Sequence, residues 1–89
     1  MVLVPKRYMD SYATYLIGAG VPKSKVEDCM EWAFGSGWEK AELGNLRERW
    51  NKRQNLFEIT NDMQIDQTLF KIGLLYCVLV LKTTGERNV

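Results

Sequence analysis

The sequence predicts an all-α fold, a compact bundle of four to five short helices with a largely buried C-terminal helix. Apolar residues recur at spacings of three and four in successive segments, glycines separate those segments, and the most apolar segment lies near the C-terminus. A chain of 89 residues is long enough for one domain. We place that helical domain at residues 1–82 and expect a flexible C-terminal tail at 83–89, where turn residues replace apolar ones.

The first predicted helix covers about residues 6–17. Pro5 suits the start of a helix, and three tyrosines follow at helical spacing. Gly18 and Gly20 supply the backbone freedom that ends a helix. We therefore expect the first turn of the chain at these two glycines.

The second predicted helix begins at a capping box. Ser24 stands three residues before Glu27, so the hydroxyl and the carboxylate can each accept an N-terminal backbone N–H. The Gly-Ser-Gly sequence at 35–37 ends this helix. The sequence thus places a helix, followed by a turn, between the capping box and residue 37.

Helical spacing returns from residue 38 to Phe57, with Gly44 as a candidate division between a short helix and a longer one. The Thr-Asn-Asp sequence at 60–62 is the next break. The last element, residues 69–81, is apolar nearly all round, as expected of a helix that other helices surround. A strand at 76–84 is the alternative, but no other segment offers a partner strand.

Composition limits the function classes. The chain has no histidine, which removes the commonest general base and the usual metal ligand. Cys29 and Cys77 lack metal-site spacing, so we expect reduced thiols. Glu27 and Glu31 could share one helix face, but a solvated acidic face explains them more simply. We predict that the protein is not an enzyme and carries no cofactor and no metal.

The sequence was also compared with the patterns of signal peptides and membrane-spanning helices, which bear on the predicted compartment. Lys6 and Arg7 directly follow the sequence Met-Val-Leu-Val-Pro, and neither a long apolar core nor a small-residue cleavage site comes after them, so we do not expect a signal peptide. The longest apolar stretch lies between Lys71 and Lys82 and reaches roughly half of the ~20 residues that a membrane-spanning helix needs. We therefore expect a cytoplasmic protein without a membrane anchor.

Aromatic residues cluster around the first two predicted helices and the turn after them. The chain has three Trp, four Tyr and three Phe, more than a small core easily hides, so we expect some to be exposed. Tyr, Trp and Arg dominate protein-binding hot spots. The candidate protein-binding residues are Tyr8, Tyr12, Trp32, Phe34 and Trp38. The alternative is a well-filled aromatic core.

Basic residues suggest a second kind of surface. The densest cluster flanks Trp50, whose indole could stack on a base, although its spacing from Leu46 favours the core. The formal net charge is only +1, so any nucleic-acid binding must be local. The candidate nucleic-acid-binding residues are Lys23, Lys25, Arg47, Arg49, Lys52 and Arg53. The alternative is a solvated basic face.

Two resemblances cover the same part of the chain. The stretch at 18–32 resembles a helix-turn-helix motif, which implies that Lys23 and Lys25 lie near DNA, although Glu27, Asp28 and Glu31 would repel it. More loosely, the stretch resembles the start of a ubiquitin-associated-type three-helix domain, with residues 38–46 as third helix. That resemblance implies a loop that binds partners.

The sequence thus favours a small non-enzymatic intracellular binding protein that acts through protein–protein contact. It would be an adaptor, subunit or inhibitor, of a kind that a phage or mobile element can encode. Net charge alternates in sign along the chain, which can hold a protein partner or a second copy in register, as in a homo-oligomer. The alternative is a helix-turn-helix-like regulator that binds nucleic acid.

Overall fold

A computed structural model describes residues 2–81 and shows a small bundle of helices. Its helices are α1 (Lys6–Gly18), α2 (Lys23–Phe34), α3 (Leu43–Arg53) and α4 (Ile65–Tyr76), with a short 3-10 turn at Trp38–Lys40 and a π-helical turn at Cys77–Leu81. No strand element forms within residues 2–81. The predicted all-α bundle is therefore confirmed, and the predicted tail at 83–89 lies outside the described residues.

The core sits where α1, α2, α3 and α4 meet. Burial of each large apolar side chain contributes about 1.5 to 3 kcal/mol relative to leaving it exposed. The largest fully buried apolar side chains are Trp50, Tyr76, Met9, Leu16, Met30, Leu46, Ile59, Ile72 and Leu75. All four helices and the loop before α4 contribute to this set, so the core binds the bundle into one unit.

Trp50 is the central contact between α2 and α3. Its side chain is 0% exposed, and its Nε1 donates to the carbonyl of Ala33 over 2.8 Å. Its ring lies edge-on to Trp32, with 5.4 Å between the ring centroids. The indole is therefore a core group and not a free platform for stacking on a base.

The predicted capping box at the start of α2 is wrong. The helix begins at Lys23, so Ser24 is already its second residue, and the N-cap is Pro22. The backbone N–H of Lys25 donates to the Pro22 carbonyl over 2.8 Å. Because proline fixes its own φ near the helical value and carries no N–H, the chain enters the helix directly after it.

The third helical segment divides at a different residue than predicted. The backbone is extended at Ala41 and Glu42, and α3 starts at Leu43, so Gly44 lies inside its first turn. The Glu42 carboxylate accepts the backbone N–H of Asn45 over 2.8 Å. A Cβ at Gly44 would lie 3.2 Å from Oε2 of Glu42, so the glycine makes room for this cap.

The extended backbone at Ala41 and Glu42 also interrupts residues 38–46, which the resemblance to a ubiquitin-associated-type domain predicts as one continuous third helix. Backbone hydrogen bonds explain the extended conformation at this point. Val4 donates to the carbonyl of Ala41 over 2.9 Å, and Leu43 donates to the carbonyl of Val2 over 2.8 Å. The N-terminal segment thus fastens the start of α3, a contact that helical periodicity cannot indicate.

The end of α3 is also earlier than predicted. The helix stops at Arg53, and Phe57 lies in the loop that follows. Asn51 holds this loop with its side-chain amide, which donates to the carbonyl of Ile59 over 2.9 Å and accepts the Ile59 N–H over 2.8 Å. This two-sided contact lets the fully buried Ile59 enter the core without a helix.

The C-terminal element is helical as far as the structure describes it. Residues 65–76 form α4, and residues 77–81 continue as the π-helical turn, so the alternative strand does not form through residue 81. The buried residues of α4 are Thr68, Leu69, Ile72, Gly73, Leu75 and Tyr76. One side of the helix therefore belongs to the core, and its opposite side carries the exposed residues Phe70 and Leu74.

Candidate functional site

The outer side of α4 carries a stripe of exposed apolar side chains. Phe70 is 69% exposed, Leu74 is 45% exposed, and Val78 in the π-helical turn is also 45% exposed. Residues four apart lie on one side of a helix, so these three form a continuous stripe. Large apolar side chains exposed together are a recognised feature of interaction sites.

A groove runs along this stripe between α1 and α4. Its volume is about 350 Å³, and Phe70 separates it from a second open recess of about 560 Å³. The groove is lined by Tyr8, Ser11, Tyr12, Tyr15, Asp66, Leu69, Phe70, Gly73 and Leu74. We call this surface the α1–α4 groove.

Tyr15 and Gly73 fix the floor of the α1–α4 groove. The Tyr15 hydroxyl donates to the carbonyl of Gly73 over 3.2 Å and lies 2.8 Å from Sγ of Cys77. In the second contact either the phenol or the thiol can be the donor. A Cβ at Gly73 would lie 3.3 Å from the Tyr15 ring, so glycine permits this close approach.

The α1–α4 groove carries little charge. Asp66 is the charged residue among its lining side chains, and it is exposed. Lys71 lines the neighbouring recess, where its ammonium lies 4.3 Å from the centroid of the Phe57 ring. The lining of the α1–α4 groove is therefore mostly apolar, with one exposed carboxylate.

No family model matches the chain, and no curated protein and no solved structure matches it at a significant level.

The structure separates the five candidate protein-binding aromatics. Tyr12 is 4% exposed and Phe34 is 6% exposed, and their rings pack edge-to-face with centroids 4.7 Å apart. Burial raises the pKa of the Tyr12 phenol well above its usual range. Most of the surface of both side chains is therefore used in the α1–α2 packing, and Tyr12 keeps a small exposed part in the lining of the α1–α4 groove.

The other three aromatics lie apart. Tyr8 is half-buried and lines the α1–α4 groove. Trp38 is half-buried in the 3-10 turn. Trp32 is 39% exposed, but the Arg53 guanidinium covers its ring at 4.1 Å from the centroid. Of the five candidates, Tyr8 and Tyr12 therefore line the α1–α4 groove, and Tyr8 is the more exposed of the two.

The basic cluster of α3 is largely occupied by contacts inside the protein. Arg47 donates to the carbonyl of Met63, and its side chain is half-buried. Arg49 and Arg53 both donate to the carbonyl of Trp32, over 2.8 Å and 2.6 Å. Three of the four basic side chains between residues 47 and 53 thus each donate to a backbone carbonyl of the protein.

The remaining cations are exposed. Lys52 pairs with Glu48 over 3.1 Å on the surface of α3. Lys23 and Lys25 lie exposed in the first turn of α2, where a helix-turn-helix motif places its base contacts. Glu27, Asp28 and Glu31 are exposed on the same helix, so negative charge accompanies the two lysines.

Other chemistry has little support within the described residues. No group of three or more His, Cys, Asp or Glu side chains there could hold a metal ion. Cys29 and Cys77 are free and half-buried. No helix between residues 2 and 81 is long and apolar enough to cross a membrane.

Sequence reasoning missed Phe70 and Leu74. Both lie in a segment that is apolar on every side, so periodicity offers no signal to separate its core face from an exposed one. The only available signal was the four-residue spacing of Phe70, Leu74 and Val78, which equally fits a buried face.

Proposed function

We propose that this protein is a non-enzymatic intracellular binding protein that acts through protein–protein contact at the α1–α4 groove. The observation that carries the proposal is the exposed stripe on α4, above all Phe70 at 69% exposed. When a partner removes exposed apolar side chains from water, the burial favours binding by about 25 cal/mol per Å² of apolar area. A surface of this kind is therefore suited to association.

The proposed occupant is an amphipathic helix of a partner protein. Helix-in-groove recognition places apolar residues at spacings of three and four into a cleft between helices, and the α1–α4 groove offers such a cleft. Asp66 at the edge of the groove favours a lysine or arginine on the partner. This chemistry is consistent with an adaptor, a subunit or an inhibitor.

Nucleic-acid binding is the alternative, and it has less support. The formal net charge of the chain is only +1, and Arg47 donates to the carbonyl of Met63 inside the protein. A protein that neutralises many phosphates needs cations free to reach them. The exposed lysines of α2 remain, with acidic residues beside them.

Peptide selection tests the proposal. A library of helical peptides with apolar residues at spacings of three and four would be selected on the wild-type protein, and the affinity of selected peptides measured by calorimetry. Phe70→Ser should weaken binding by about 2 kcal/mol or more, because the substitution removes the most exposed anchor. A peptide lysine placed near Asp66 should bind better than a glutamate there.

Leu56→Ser is the matched control. Leu56 is 59% exposed but does not line the α1–α4 groove. It should leave peptide affinity unchanged. Equal losses from Leu56→Ser and Phe70→Ser, or a selection that yields no binding peptide, would contradict a specific groove.

A further inference from the structure

Arg49 and Arg53 present an unusual arrangement at the C-terminal end of α2. Both guanidinium groups donate to the single carbonyl oxygen of Trp32, over 2.8 Å and 2.6 Å. Nε of Arg49 is buried and has no acceptor among residues 2–81. Two cations thus share one neutral acceptor, which leaves donors and positive charge in excess.

No carboxylate within the described residues forms an ion pair with either arginine. The ion pairs there join Lys6 to Asp10 and Lys52 to Glu48, and neither pair includes Arg49 or Arg53. The desolvation of Arg53, with repulsion from Arg49, lowers the pKa of its guanidinium. An anion bound between the two arginines would relieve that repulsion.

The surrounding surface completes a site of suitable charge. An open recess of about 360 Å³ on the outer face of α3 is lined by Asn45, Glu48, Arg49, Lys52 and Arg53. Three cations and one carboxylate give it a net charge of +2. A phosphate monoester carries about −1.5 to −2 at neutral pH, so its charge matches the site closely.

We propose that Arg49, Lys52 and Arg53 form a binding site for a small phosphate monoester. Guanidinium groups bind phosphate oxygens through paired N–H donors, and the lysine adds a mobile cation. The Asn45 amide offers a further neutral donor on the same face. This site is separate from the α1–α4 groove and does not depend on the function proposed for it.

The proposed ligand is small and not a nucleic acid. Arg47 donates to the carbonyl of Met63 and does not line the recess of Arg49, Lys52 and Arg53. A nucleic-acid backbone consists of phosphodiesters, each with a single negative charge, and single charges match a +2 site less well. The dianionic monoester is the better fit.

A titration with methyl phosphate tests the site. The Nε–H resonances of Arg49 and Arg53 would be followed by NMR at constant ionic strength, with chloride as the balancing anion. Both should shift and saturate, and dimethyl phosphate, which has one negative charge, should bind at least about threefold more weakly. Shifts that do not saturate, or that chloride reproduces, would overturn the proposal.

Substitutions at Lys52 and Glu48 test the charges without touching the contact to Trp32. Lys52→Gln should weaken methyl phosphate binding by about threefold, and Glu48→Gln should strengthen it by a similar factor, because exposed charge pairs contribute modestly. Both side chains are exposed, so the fold should persist. Arg49→Gln should abolish saturation, once circular dichroism has shown that the variant is folded.

Lys25→Gln is the matched control, since it removes the same charge from an exposed position outside the recess. It should leave the affinity for methyl phosphate unchanged. A loss equal to that of Lys52→Gln would reduce the effect to general electrostatics and overturn the site. Tighter binding of a single-stranded oligonucleotide than of methyl phosphate would also overturn it, in favour of nucleic acid.

Discussion

The α2–α3 contact and the α1–α4 groove use their side chains in opposite ways. Between α2 and α3, polar groups that could face solvent are held inside the protein: Arg53 covers Trp32, and Trp50 donates to Ala33. Between α1 and α4, apolar groups that could enter the core remain exposed, as Phe70 and Leu74 do. Residue type alone therefore does not show which side chains are used inside the protein and which are exposed.

The comparison shows which side chains already have contacts inside the protein and which still lack them. A cation near a helix C-terminus finds backbone carbonyls to bind, so it can contribute to the fold and leave little for a partner. An apolar side chain on an exposed helix face gains nothing until something covers it. The groove is thus the stronger candidate for association, although sequence patterns favoured the basic residues and the aromatic residues around the first two helices.

The largest expected effect on stability is at the α2–α3 contact. Trp50→Ala removes a fully buried indole together with its hydrogen bond to Ala33. The free energy of unfolding should fall by about 3 to 5 kcal/mol, from transfer of the side chain and the cavity that remains. Urea denaturation followed by circular dichroism measures it. A loss below about 1 kcal/mol would mean that the contact is not part of a cooperative core.

The helices themselves were predictable, because glycines divide the chain. Gly35 and Gly37 both have positive φ, at 91° and 70°, which other residues adopt rarely. The start of α2 was not predictable from its capping pattern, because Pro22 competes with Ser24 as a start signal. The end of α3 depended on Asn51 binding Ile59, a contact between two residues that no periodic pattern relates.

The site was predictable only in part. The sequence identified the basic cluster but not its contacts inside the protein. Arg49 and Arg53 donate to a backbone carbonyl. Because every residue has such a carbonyl, the sequence cannot indicate which one will accept. Tyr12 and Phe34 were assigned to a surface because the chain has more aromatic residues than a small core easily hides and because these two lie in the aromatic cluster of the first two helices. Their burial depends on how α1 packs against α2, which only tertiary structure reveals.

A smaller effect on stability is expected at the edge of the α2–α3 contact. Arg53→Gln removes the donor to the Trp32 carbonyl and the cation above its ring. The free energy of unfolding should fall by about 1 to 2 kcal/mol, which urea denaturation can measure. Lys52→Gln is the control, since its exposed pair with Glu48 contributes at most about 1 kcal/mol. Equal losses would mean that Arg53 is a solvated cation.

The next effect concerns the floor of the α1–α4 groove at alkaline pH. Burial first, and then the hydrogen bond with Cys77, raise the pKa of Tyr15 from 10 to about 12. Because folding raises this pKa, the neutral phenol stabilises the fold fully below pH 10, and that stabilisation is lost as the pH rises through 12. The free energy of unfolding should therefore decline across this window.

Tyr15→Phe removes that contribution and isolates it. The variant should lose about 0.5 to 1 kcal/mol at neutral pH, because it lacks the hydrogen bond to Gly73. Its stability should then decline less steeply than that of the wild type above pH 10. Urea denaturation at several alkaline pH values measures both slopes. Identical slopes would show that Tyr15 titrates alike in the folded and unfolded chains.

The smallest effect on stability is expected where the proposed effect on binding is greatest. Phe70 is already 69% exposed in the folded protein, so Phe70→Ser removes little apolar area that folding had buried. The free energy of unfolding should change by no more than about 0.5 kcal/mol. Denaturation at two protein concentrations tests this. A larger loss that grows with concentration would mean that a second copy covers Phe70, because association stabilises the folded state by mass action.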